Sequence, residues 1–98
     1  MLMEDAVFRA LADPSRRAIL ERLARGEAAV KDLTAAFFIS QPAVSQHLAI
    51  LRNAGLVSER REGRLVYYRV ESDGLEPLID WMAHYTAGRR LSVRAASP

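Results

Sequence analysis

Ser40-Gln41-Pro42-Ala43-Val44-Ser45-Gln46-His47-Leu48-Ala49-Ile50-Leu51-Arg52-Asn53-Ala54-Gly55 is the stretch from which the rest of the chain can be read. Ser40 is a good helix N-cap, Pro42 falls in the first turn where its missing N–H does no harm, and Gly55 is a stop signal. Val44, Leu48 and Leu51 stand at i, i+4 and i+7, so one stripe of this helix turns to a core. Gln41, Ser45, Gln46, Ala49 and Arg52 or Asn53 are thereby turned outward. A solvated face ordinarily carries Glu and Lys, yet no acidic residue occurs between Asp32 and Glu59. Short polar side chains at the helix start let the backbone approach a surface closely, and Gln and Ser can donate to and accept from base edges. Such a face suits a helix that enters a major groove. His47, three residues after Val44, falls at the rim of the buried stripe and is read as a packing residue rather than a base contact.

Downstream lies Val57-Ser58-Glu59-Arg60-Arg61-Glu62-Gly63-Arg64-Leu65-Val66-Tyr67-Tyr68-Arg69-Val70. Its two arms flank Glu62-Gly63, where glycine permits the positive φ of a tight hairpin. Alternation puts Val66, Tyr68 and Val70 on one face and Leu65, Tyr67 and Arg69 on the other. Arg61 and Arg64 bracket the turn, so a basic finger is expected beside the polar-faced helix, in reach of phosphates or an adjacent minor groove. Charge on exposed strands also prevents edge pairing. The order of short helix, turn, polar-faced helix and basic hairpin is what makes this a winged helix-turn-helix.

Upstream, residues 3–12 place Met3, Val7, Ala10 and Leu11 on one helical face. Asp13-Pro14-Ser15 stops that helix and starts the next, whose stripe is Ile19, Leu20 and Leu23 and whose end lies near Gly26. A short third helix is expected from about Val30 to Phe38. The consecutive apolar residues Phe37-Phe38-Ile39 before the turn mean either an unusually apolar turn or a pocket. After the hairpin, a last helix from about Gly74 to Gly88 aligns Leu75, Leu78, Ile79, Met82 and Tyr85, with Trp81 beside them. That stripe is too wide for one small chain to bury, so it is expected to pair with a second copy; an aromatic-lined ligand cavity around Trp81 is the competing use.

The chain has 98 residues, 50% apolar and 27% charged, which makes one core and not two. Small size and zero cysteines favour dimerisation as the means of covering surface. The formal charge is only +2, but it is unevenly spread. Residues 1–51 hold six basic and six acidic side chains, whereas residues 52–70 hold five arginines against two glutamates. Thirteen of the fourteen cations are arginine, suited to bidentate contacts, and Lys31 is the only lysine. No run of about 18 apolar residues occurs and the first residues do not resemble a secretory signal, so a cytoplasmic location is expected. No serine, histidine and carboxylate are spaced as a catalytic triad and no phosphate loop occurs, so an enzyme is not expected.

The chain resembles the ArsR/SmtB-type winged-helix transcriptional repressors from about Val7 to Tyr85. Three stretches carry the similarity: Leu11-Ala12-Asp13-Pro14-Ser15-Arg16-Arg17-Ala18-Ile19-Leu20, then Ser40 to Leu48, then Leu51-Arg52-Asn53-Ala54-Gly55-Leu56-Val57 running into Arg61-Glu62-Gly63-Arg64. The resemblance implies a bacterial homodimer that binds an imperfect inverted repeat and blocks transcription. Members that sense arsenic, cadmium or lead carry Glu-x-Cys-x-Cys-Asp-Leu at the third helix. Here that stretch is Glu27-Ala28-Ala29-Val30-Lys31-Asp32-Leu33, with Ala29 and Lys31 in place of the thiols. Sensing through thiolates is excluded. Other members bind zinc on the last helix; here Glu76 and His84 are about 12 Å apart along a helix and cannot share an ion. Only Asp80 with His84 could contribute ligands, across a dimer, and the second histidine of that motif is missing. No metal or other cofactor is therefore expected.

The expected architecture is mainly α, about five helices with a two-stranded hairpin wing, in a domain spanning residues 1–88 followed by a basic tail at 89–98. Ser40, Gln41, Ala43, Ser45 and Gln46 are expected to face bases, and Arg16, Arg52, Arg60, Arg61 and Arg64 to meet phosphate or minor groove. Val7, Leu11, Leu78, Ile79, Met82 and Tyr85 are expected at the dimer contact. The partners expected are double-stranded DNA and a second copy of the chain, with no membrane. A ligand- or zinc-responsive sensor and a winged helix used only for protein contacts are the other uses of this fold compatible with the sequence.

Overall fold

The computed structural model describes residues 3–86. The tail at 89–98 and the helix end expected at Gly88 lie outside this range, and the side chain of Met3 is likewise not described. Five α-helices and a small sheet follow in the order α1 (Met3–Ala12), α2 (Pro14–Leu23), β1 (Ala28–Ala29), α3 (Val30–Phe37), α4 (Gln41–Asn53), β2 (Val57–Glu62), β3 (Leu65–Val70) and α5 (Glu76–Ala83), with a 3-10 turn at Ser72–Leu75. The caps fall where local chemistry puts them. Asp13 accepts from the amides of Ser15 at 2.7 Å and Arg16 at 3.3 Å, and Ser40 Oγ accepts from the Ala43 amide at 3.2 Å.

Val44, Leu48 and Leu51 of α4 are fully buried against Ile19, Leu23, Leu33, Leu56 and Val57. Each such side chain contributes about 1.5–3 kcal/mol by leaving water. The buried stripe fixes the rotation of α4, and the polar face follows from it.

The sheet differs from the expected two-stranded wing. Its order is β1-β3-β2, all antiparallel, with Ala28 opposite Tyr68 and Ala29 opposite Tyr67. Two alanines have little strand preference of their own; they are extended because β3 offers them a free edge. Across the hairpin, Glu62 pairs with Leu65, so the turn itself is Gly63-Arg64. Gly63 has φ 62° and Arg64 does not share the positive sign, the pattern of a two-residue turn with glycine first. Arg64 therefore sits on the tip rather than beside it.

The last helix is also shorter than its periodicity suggests. The chain enters it through the 3-10 turn at Ser72–Leu75, and Pro77 sits in its first turn, where a missing N–H breaks no helical bond. At the far end two bonds tighten to 3-10 spacing, His84 N–H with Trp81 O at 3.2 Å and Tyr85 N–H with Met82 O at 2.9 Å, before Thr86 N–H closes on Met82 O at 3.1 Å.

Phe38 resolves the apolar run before the turn. Phe37 and Ile39 are half-buried and line a shallow cavity of about 240 Å³ with Pro14, Ser15 and Ala18. Phe38 points away, 93% exposed, and caps α3 at φ 55°, ψ 37°. A left-handed backbone costs an ordinary L-residue about 1–2 kcal/mol, and so exposed a ring buries too little to offset it. Phe38→Gly is therefore expected to raise stability by about 0.5–1 kcal/mol after the added freedom of the unfolded chain is subtracted. Thermal unfolding checks this; a lowered midpoint would mean that the ring is packed.

Candidate nucleic-acid interface

α4 presents Gln41, Ser45, Gln46, Arg52 and Asn53 exposed along one side, while Ala43, His47 and Ala49 are half-buried. The exposed Ser40 already spends an oxygen lone pair on the cap. The first two turns thus offer two amides and a hydroxyl with no acidic side chain among them.

The arginines expected to accompany this face fall into two groups. Arg16 is a clamp between helices: its Nε donates to the Ala10 carbonyl at 2.7 Å and its Nη2 to the Arg9 carbonyl at 3.1 Å, closing the end of α1. Its Nη1 stands 3.5 Å from His47 Nδ1 and 3.8 Å from Asp13, which accounts for the half-buried position of His47. Arg52 pairs with Glu59 at 2.6 Å and ties the end of α4 to β2. Arg60 is held by Glu27 and by Glu62, each at 2.8 Å, and lies 4.9 Å over the Tyr67 ring. That guanidinium holds the Glu27 carboxyl below its ordinary range, and the two carboxylates in turn raise the pKa of Arg60.

Arg61 and Arg64 behave differently. Both are exposed on the wing, and neither makes an ion pair among the described residues. The structure therefore brings Gln41, Ser45, Gln46, Arg61 and Arg64 forward, and engages Arg16, Arg52 and Arg60 within the protein.

The residues expected at a dimer contact also divide. Val7 is 3% exposed and belongs to the core of the single chain. Leu11, Leu78, Ile79 and Met82 are half-buried, and Tyr85 is 68% exposed. Trp81, half exposed, is the largest apolar group on this side and was outside the expected set. It meets Phe8 of α1 edge-on at 5.7 Å and Tyr85 in a tilted contact at 5.0 Å. Its size was the available signal. Asp80 and His84 are exposed, and His84 Nδ1 lies 3.1 Å from the Trp81 carbonyl. Among the described residues no three His, Cys, Asp or Glu side chains stand close enough to hold a metal ion. No helix among them is long and apolar enough to cross a membrane.

Comparison with known proteins agrees with this geometry. The pattern of the family described as bacterial regulatory protein, arsR family, matches residues 13–59. The chain is 39% identical over 79 residues to the transcriptional repressor SdpR of Bacillus subtilis, covering 81% of this chain and 88% of that one. It is 47% identical over 74 residues to the HTH-type transcriptional regulator Rv2034 of Mycobacterium tuberculosis, covering 76% and 69%. A crystal structure of an ArsR family transcriptional regulator superposes with a TM-score of 0.79 at 32% identity, over 86% of this chain and 92% of that one.

Proposed function

The chain belongs to the arsR family of bacterial transcriptional regulators, with their DNA-binding helix-turn-helix fold, and from that premise we propose that it works as a dimeric repressor at an inverted-repeat operator. In this reading α4 enters the major groove, with Gln41, Ser45 and Gln46 on base edges and Ser40 and Ala43 close by. Arg61 and Arg64 carry the wing to phosphates or the adjacent minor groove. Two copies joined through α1 and α5 set the reading helices one helical turn apart, roughly 34 Å. No metal or thiol takes part.

One observation carries the proposal. The exposed amides of α4 and the arginines without ion pairs on the wing stand on neighbouring elements, while the carboxylates of the same hairpin strand, Glu59 and Glu62, are taken by Arg52 and Arg60. An anionic surface meets cations there and little repulsion.

A pair of substitutions separates reading from anchoring. On a duplex selected by the protein from random DNA, Gln46→Ala is expected to cost about 1–3 kcal/mol and to leave random duplex unaffected. Arg64→Ala is expected to weaken every sequence alike and to reduce the slope of log K against log salt by about 1 per protomer. Equal loss on selected and random duplex for Gln46→Ala would remove that side chain from the readout. A winged helix serving only protein contacts would bind no duplex at any salt concentration.

A further inference from the structure

The short strand β1 has a consequence beyond the sheet. Because Ala28 lies opposite Tyr68 and Ala29 opposite Tyr67, the chain that leaves β1 runs towards the wing tip. It carries Val30 and Lys31 alongside Val66 and Leu65. α4 starts at Gln41 on the same side, and Arg64 stands at the tip. Together they enclose a cleft of about 240 Å³, floored by Val30, Leu65 and Val66 and rimmed by Lys31, Gln41 and Arg64.

The rim is cationic without local compensation. Neither Lys31 nor Arg64 makes an ion pair among the described residues. Asp32, beside Lys31, is turned back onto the Ala29 amide at 3.1 Å. Glu27 and Glu62 are both held by Arg60. Two cations and a neutral amide thus converge from three elements, a donor set suited to a phosphate oxygen.

We propose that this cleft grips one phosphate of the DNA backbone, with Lys31 supplying the contact from α3 and Arg64 from the wing. The inference rests on the function proposed above and specifies it further. With α4 in a major groove and the wing at the adjacent minor groove, the strand that separates the two grooves has to pass between the start of α4 and the wing tip. The cleft lies on that path. Lys31 is thereby assigned to the interface, where a flexible point charge can follow a backbone phosphate without fixing base sequence.

The test uses the full chain and a duplex selected from random DNA. Lys31→Met keeps length and removes charge at an exposed position, so its melting temperature is expected to match that of the parent. Each neutralised phosphate contributes about 0.9 to the salt slope, so the variant is expected to lose roughly eightfold in affinity per protomer at 0.1 M salt and about 0.9 in slope. Single neutral methylphosphonates placed along the backbone are then expected to weaken the parent at one position in each half-site where the variant is insensitive. An unchanged slope with no such position overturns the proposal. Inorganic phosphate that binds the DNA-free parent through Lys31, together with a flat methylphosphonate scan, would assign the cleft to a free anion and overturn it as well. If the parent binds no duplex at all, the function proposed above fails and this inference fails with it, a result distinct from the other two.

Discussion

Replacing Trp81 and Tyr85 together by lysine is expected to give a folded monomer whose affinity for a palindromic duplex falls by about 100-fold or more. The Phe8–Trp81–Tyr85 stack joins α1 to α5 and then stops at the surface, with half of Trp81 and 68% of Tyr85 exposed. Buried aromatics dominate interface energetics, and two cations facing their own copies across a two-fold axis repel. The loss in DNA binding follows from avidity. A joined pair makes its second half-site contact at a high effective concentration, worth 10²–10⁴ in affinity, and a monomer forfeits that factor. Sedimentation reports the mass, and a titration with an isolated half-site separates loss of pairing from loss of reading. Retention of the dimer would move the contact elsewhere, with the apolar groove at Leu11, Leu20, Val70 and Leu75 the next place to look.

The second large effect is expected at Gly74, where alanine is predicted to destabilise the chain by about 3 kcal/mol, the upper part of the range for overpacking. A Cβ there would stand 2.1 Å from the carbonyl oxygen of Gly55, 2.7 Å from its carbon and 3.3 Å from the Leu56 Cα. All three are backbone atoms. They are also tied: the Gly55 amide bonds Arg52 O and the Leu56 amide bonds Leu51 O, both at 2.9 Å, while the Leu56 carbonyl accepts from Glu71 at 2.9 Å. No rotamer change can relieve the contact, so either the end of α4 or the entry to α5 must shift. For a domain of this size the midpoint of thermal unfolding should fall by roughly 12–24 °C. This contact sets the helix proposed to read DNA against the helix proposed to pair, so whatever Gly74→Ala protein remains folded at low temperature is expected to bind DNA less well than Phe38→Gly protein.

Elements with local causes were legible in the sequence. The caps at Asp13 and Ser40 and the stripe of Val44, Leu48 and Leu51 each depend on residues a few positions apart, and the structure has them as read, whereas the alternation in Leu65–Val70 is broken at Tyr67, half-buried beneath Arg60. What was not legible depends on distant partners. β1 exists because residues 28 and 29 meet residues 68 and 67. Arg60 finds Glu27, a separation of 33 residues, and Arg16 finds carbonyls on the preceding helix. Counting arginines in a window identifies a basic region but not which charges are already compensated. Lys31 was visible as the one lysine, yet its place beside the wing followed only from the pairing of two alanines. Likewise Val7 has the spacing of a contact residue in either a core or an interface, and the packing of α1 on α4 and α2 puts it in the former.

The most direct test counts protomers on DNA while salt is varied. Sedimentation of the purified chain with a selected palindromic duplex is predicted to give two protomers per duplex and a log K that falls linearly with log salt, with a shallower slope when Arg61 and Arg64 are both replaced by alanine. One protomer per duplex, or an affinity indifferent to salt and to those two arginines, would contradict the assignment of α4 and the wing as a paired DNA-reading surface.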